Sequence, residues 1–293
     1  MSALSFWAQI RSTWANTVAA ADQAITRPSV RLKPMFRFSL YRPKLPIAVT
    51  GHRGTGKTLL YDAIVGNVGT NYVPSGKSQG AEPHRVILSA RSSKTRCEVI
   101  VVPGQLSAER DDALDSMMTD GAFPTGLIHV TCFGHNTVWH SSDRATVGGE
   151  LALGARGLSQ EAVRLRNLEQ EALEFEDLCN RLRDAWYRKS GVWLIVAVAK
   201  CDLYWSRIGE ARDYYLPGCG SADSRFAAAL QGLVKHVGEA NFAGLAVLPL
   251  SCYPEAHEFD PTLPKSRPEL DQRQATVLVD RFRTVIGDFC GRR

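Results

Sequence analysis

Residues 51–58 read GHRGTGKT and fit the pattern G-x-x-x-x-G-K-[ST] in full. Each residue type in that pattern has a chemical reason. Gly51, Gly54 and Gly56, with Thr55 between them, form a loop whose backbone N–H groups can converge on phosphate oxygens. Lys57 is placed to reach β- and γ-phosphates, and the Thr58 hydroxyl to ligate Mg²⁺. The context is also right, because an apolar run, LPIAVT (45–50), precedes the loop and a helical stretch from Thr58 to about Val65 follows it. The alternative is a chance glycine turn, which the flanking strand and helix argue against.

Three further strand ends carry residues able to do chemistry. VWLIVAV is followed by AKCD, Ala199 to Asp202; LAVLP leads into Ser251, Cys252 and Tyr253; and EVIVVPGQ (98–105) ends a four-residue apolar run in a turn. In their order along the chain these elements resemble the Ras-like small GTPase superfamily, over about residues 45–290. The resemblance implies that Asp202 accepts two hydrogen bonds from guanine, that the stem of Lys200 lies over the base, and that Ser251 and Cys252 line it through the backbone. A site built around such a carboxylate rejects adenine, which would leave it unpaired. Ala199 departs from the family's Asn, which braces the phosphate loop and touches the base. The plain alternative is that K-x-D and SCY are ordinary strand-to-loop turns.

In the family, Asp-x-x-Gly-Gln ends the strand that EVIVVPGQ occupies here. Gly104 and Gln105 match, and Val101 stands in place of the Asp. The resemblance gives the Gly104 amide to the γ-phosphate and Gln105 to the attacking water. VPGQ is itself similar to the bacterial gliding-motility polarity GTPases, which also lack the Asp. That likeness implies weaker Mg²⁺ binding, with Thr58 and the phosphates as the remaining ligands, and slow turnover that an activating protein would raise. Larger P-loop proteins with a helical arm before the loop share less of this motif. Arg53 has two readings: an internal cation that stabilises the transition state, or a solvent-facing side chain. Thr70, Ser75 and Ser78 lie in a glycine-rich stretch suited to a first switch loop, and Arg85 and Arg110 lie near the switch elements.

The elements that must position these residues alternate. Apolar runs at 84–90, 97–102, 126–133, 192–199 and 245–251 are interleaved with helical patterns at 106–118, 159–189, 224–237 and 268–289. Runs at 84–90 and 97–102 are close enough for a hairpin. Strands that are apolar throughout are covered on both faces, so the pattern predicts a doubly wound, mostly parallel α/β sheet of the P-loop small-GTPase type. The stretch 159–189 reads as a sheet-covering helix, with a partner-binding insert as the sharper alternative.

Ahead of this domain, at 45–293, lies an arm, 1–44. Leu4, Trp7, Ile10, Trp14, Val18, Ala21 and Ile25 form one helical stripe over 3–26. Six Lys/Arg and no acid follow between Arg27 and Lys44. Residues 1–46 carry seven basic side chains against one acid, so the chain's net +5 belongs to the arm and the remainder is −1. That excludes a nucleic-acid-binding main domain. The stripe suits packing on its own domain, a partner helix, or an anionic membrane surface. Seven scattered cysteines without a C-x-x-C pair read as reduced thiols of a cytoplasmic protein, with peripheral attachment at the inner membrane surface the further expectation. The whole reading is of a GTP/GDP-binding switch that needs Mg²⁺ and works through an activating or effector protein. A non-hydrolysing pseudo-GTPase scaffold and a P-loop ATPase are the alternatives.

Overall fold

A computed structural model describes residues 3–24, 45–66, 68, 82–89, 94–102, 124, 126–137 and 159–291. Its helices are α1 (Ala3–Gln23), α2 (Lys57–Val65), α3 (Gln160–Trp186), α4 (Ile208–Tyr215), α5 (Arg225–Val237) and α6 (Gln272–Gly291). Its strands are β1 (Leu45–Gly51), β2 (Glu82–Ser89), β3 (Lys94–Val101), β4 (Gly126–Thr131), β5 (Val192–Val198) and β6 (Phe242–Pro249). They form one sheet in the order β2-β3-β1-β4-β5-β6. Five strands run parallel and β2 pairs antiparallel with β3, as the expected hairpin.

The continuous apolar strands are explained by two cores. Val192, Leu194, Val196 and Val198 of β5 enter one hydrophobic cluster with α3 and α5, while Trp193, Ile195 and Ala197 enter the other with α2 and α6. With side chains alternating at period two, a strand covered on both faces has no polar positions to spare. The expected helix at 159–189 is α3, which packs on α5 and buries Phe175, Leu178, Leu182 and Trp186. It therefore covers the sheet.

Helix starts follow local chemistry. Ser159 caps α3 and Ser224 caps α5, each hydroxyl accepting a backbone N–H three residues on, at 3.1 and 3.0 Å. Asp271 and Gln274 form a reciprocal capping box at α6. Only α2, among these four, begins without a side-chain cap; its N-cap is Gly56.

Helix α1 lies against β6, the edge strand, and against α6. Ile10, Trp14 and Ala21 are buried in the α3/α5 cluster, and Trp7 and Val18 pack beside it. Thr17, off the expected stripe, is also buried, and its hydroxyl donates to the Thr13 carbonyl at 2.8 Å. Arg11 donates to the Pro217 carbonyl and Trp205 Nε1 to Asp22. At Trp7, Ile10, Trp14, Val18 and Ala21, the stripe residues whose side chains are described, the helix meets its own domain. Among the described residues no helix is long and apolar enough to cross a membrane.

Candidate functional site

The predicted chemical residues at 51–58, 200–202 and 251–252 gather at the carboxyl edge of the parallel strands, beside β1, where successive connections leave in opposite directions. In α/β sheets that edge is where ligands bind. β1 ends at Gly51, which pairs with Val130 of β4. A Cβ on Gly51 would lie 2.2 Å from the Val130 carbonyl oxygen, and one on Gly54 2.2 Å from that of Thr137. These two glycines are required by close backbone approach as well as by their positive φ angles of 139° and 74°. Gly56, φ 97°, opens onto free space.

The loop is tied internally. Thr55 is fully buried and its hydroxyl donates to the His52 carbonyl at 2.9 Å. Lys57, 8% exposed, curls back so that Nζ donates to the Gly51 and His52 carbonyls at 2.8 and 3.0 Å. Thr58 follows as the second residue of the uncapped helix α2 and is half-buried. A ring of backbone folded around a lysine, opening onto uncapped helical N–H groups, is a fit for an anion such as phosphate.

The second motif lands on the first. The backbone of Lys200 takes the left-handed conformation, φ 54°, which is unfavourable for a side-chain-bearing residue. Three hydrogen bonds from Nζ offset that strain: to the carbonyls of Gly54 (2.8 Å) and His135 (2.7 Å), and to the Thr137 hydroxyl (2.8 Å). Burial pulls the ammonium below its ordinary pKa, opposed by the acids around it. Asp202 is 3% exposed. Burial pushes its carboxyl up to about 6, against the opposite pull of the Ser251 hydroxyl and Lys200. The β6 end is drawn alongside by Cys201 N–H, which donates to the Leu250 carbonyl at 3.1 Å. Ser251 and Cys252 therefore sit beside Asp202. Burial raises the Cys252 thiol, so only its backbone suits polar recognition.

Arg53 is half-buried, and its Nη2 is shielded from solvent. This departs from the solvent-facing alternative. Val101 is 5% exposed and belongs to the apolar cluster that packs on α2. The strand end that would carry the family's Asp is thus closed by a core side chain. Gly104 and Gln105 lie outside the described residues, as do Thr70, Ser75, Ser78, Arg110 and the expected helix at 106–118; Arg85 lies in β2.

The sequence reading missed a segment. Residues 132–137 follow β4 and cover the loop, held from behind by a polar row on α3. Glu171 accepts from Cys132 N–H (3.2 Å), Gly134 N–H (3.3 Å) and Tyr215 OH (2.8 Å). Asn167 donates to the Gly134 carbonyl at 3.0 Å, and Arg164 stacks over Phe133 while pairing with Glu161. Further along the row, Glu174 bonds His52 of the loop. In front, Asn136 Nδ2 donates to the Arg53 carbonyl at 3.1 Å, and Thr137 N–H to that of Gly54 at 3.1 Å. The available signal was FGHNT directly after a strand, where Phe133 and Gly134 both take positive φ, and the three- and four-residue spacing of Glu161, Arg164, Asn167, Glu171 and Glu174.

Two cavities of about 460 and 720 Å³ lie beside α1, away from this edge. The sequence matches no family model, and no curated protein matches it significantly.

Proposed function

We propose that the chain is a guanine-nucleotide-binding switch with slow, Mg²⁺-dependent GTP hydrolysis. The observation that carries this reading is the meeting of two motifs far apart in sequence: the Lys200 ammonium is bonded to the phosphate loop at Gly54, and Asp202 is two residues on. In this reading the loop amides and Lys57 hold the phosphates, Lys57 exchanging its loop carbonyls for phosphate oxygens. Asp202 accepts the guanine N–H groups. Mg²⁺, when bound, neutralises charge on the phosphate oxygens. The Thr58 hydroxyl, next after Lys57 in the motif, would be its protein ligand. Gln105 orients the attacking water, and the shielded cation of Arg53 suits charge stabilisation near the γ-phosphate.

The burial of Val101 favours a second reading, a nucleotide-dependent scaffold with no useful turnover, acting through a protein partner. Affinities for GTP, GDP and ATP, with and without Mg²⁺, test the first premise. Guanine-selective binding that is lost in Asp202→Asn is expected; equal ATP affinity would make AKCD an ordinary turn. Gln105→Leu then separates switch from scaffold, because it should abolish hydrolysis and spare binding. Unchanged hydrolysis in that variant would remove Gln105 from the chemistry.

A further inference from the structure

The site has a bracing residue in an unexpected place. At the end of β5, where the resemblance expects an Asn that supports the phosphate loop, stands Ala199. Its side chain is buried among apolar neighbours and offers no hydrogen bond. Asn136, from the end of β4 instead, is 3% exposed and its Nδ2 donates to the Arg53 carbonyl at 3.1 Å. Its Oδ1 has no partner among the described residues. Burying a primary amide is costly unless it is bonded, so a half-satisfied asparagine against a glycine loop needs a reason to be there.

We propose that Asn136 is the positioning residue of the phosphate loop and does the work that Ala199 does not. The proposal rests on the nucleotide-binding reading for its consequence, but not for its geometry. Three bonds reach the loop's outer side from this quarter: Asn136 to Arg53, and Thr137 N–H and Lys200 Nζ to Gly54. They fix two successive carbonyls outward. Fixing a carbonyl outward turns the next peptide N–H inward, so the N–H groups of Gly54 and Thr55 are oriented by these bonds. Thr137 contributes through its backbone, which most side chains at that position would supply. Lys200 is committed to the neighbouring motif. Among these three bonds, Asn136's is the one made by a side chain that serves the loop alone; Glu174 holds the side chain of His52 from α3, not a loop carbonyl. The segment that bears it is held twice over by α3 at Gly134, through its N–H on Glu171 and its carbonyl on Asn167, so the Glu171 bond remains when Asn167 is removed.

The test compares the full-length chain with Asn136→Ala, Asn136→Asp and Asn167→Ala. Asn136→Asp keeps the side chain's shape and removes the donor. Asn167→Ala loosens the same segment without touching the loop. Two readouts are used: amide hydrogen exchange of a peptide spanning 51–58 in nucleotide-free protein, and release of a fluorescent GDP analogue. Loss of one buried hydrogen bond predicts about tenfold faster loop exchange and about tenfold faster release in both Asn136 variants. Asn167→Ala should lower the melting temperature while leaving loop exchange near wild type. Unchanged loop exchange in Asn136→Ala would overturn the proposal. So would an equal effect in Asn167→Ala, which would mean general packing of the segment. If the wild-type chain holds no guanine nucleotide, the functional reading fails, and loop exchange alone still decides the role of Asn136.

Discussion

Lys200 Nζ lies 2.8 Å from the carbonyl oxygen of Gly54, 146 residues earlier in the chain. The same ammonium also holds His135 and Thr137. One cation thus locks three segments: the loop after β1, the segment after β4 and its own turn after β5. Replacing it with Met keeps the stem and removes all three bonds. The Gly54 carbonyl keeps the Thr137 N–H and the His135 carbonyl is left short of a donor, so Lys200→Met is expected to cost about 1 to 3 kcal/mol of stability. Urea unfolding of the nucleotide-free protein measures this. A loss under about half a kcal/mol would mean that the three segments hold without it.

The carboxyl of Asp202 gives two pH dependences of opposite sign. Its pKa is about 6 in the fold against an ordinary 3.8, chiefly through burial. The folded state therefore binds this proton more tightly than the unfolded chain. Its stabilising contribution is complete below 3.8 and is lost as pH rises through about 6. Guanine recognition needs the ionised form, so affinity should be full above about 6 and fall as pH drops through that value. The buried imidazoles of His135 and His257, held down to about 3 and 2, stay neutral throughout. Titrations of GDP affinity and of urea midpoints across this window should show both slopes, and Asp202→Asn should flatten both.

Two glycines of the loop should respond unequally to alanine. At Gly54 a Cβ would meet Thr137 backbone oxygen at 2.2 Å and nitrogen at 2.5 Å. At Gly56 it would meet nothing within 4 Å and would incur only the strain of a φ of 97°. Gly56→Ala is expected to lose about 1 to 2 kcal/mol, and Gly54→Ala distinctly more, with the segment 132–137 displaced. Parallel thermal melts decide this, and equal losses would show that the close approach to Thr137 relaxes freely.

Trp14 is 2% exposed and sits in the α3/α5 core. Trp14→Ala should destabilise the protein by about 3 to 5 kcal/mol. Were α1 only loosely attached, the same substitution would leave the melting temperature of the rest of the chain unchanged.

How far each of these features was legible beforehand follows from the range of the interaction behind it. GHRGTGKT specifies much of its own turn, because Thr55 and Lys57 bond back to the Gly51 and His52 carbonyls within the eight residues. Strands β4 to β6 announced themselves as apolar runs because both faces of the sheet are covered, and α3, α5 and α6 by their periodicity. What the motif at 199–202 would touch was not written locally. Parallel strands are joined by crossovers, so neighbours at the carboxyl edge are far apart in sequence, and only the order β3-β1-β4-β5-β6 sets Lys200 against Gly54. The same order brought in Asn136, which nothing in the run FGHNT marked as a partner of Arg53. It also decided what the amphipathic stripe of α1 covers. A stripe states how much apolar surface must leave water and is silent about what it meets; tertiary packing against β6 and α6 supplied the answer. Val101 belongs with these cases. Its place after Val99 and Ile100 and just before Pro103 makes it part of a strand end, while its inward burial against α2 is a property of the assembled core.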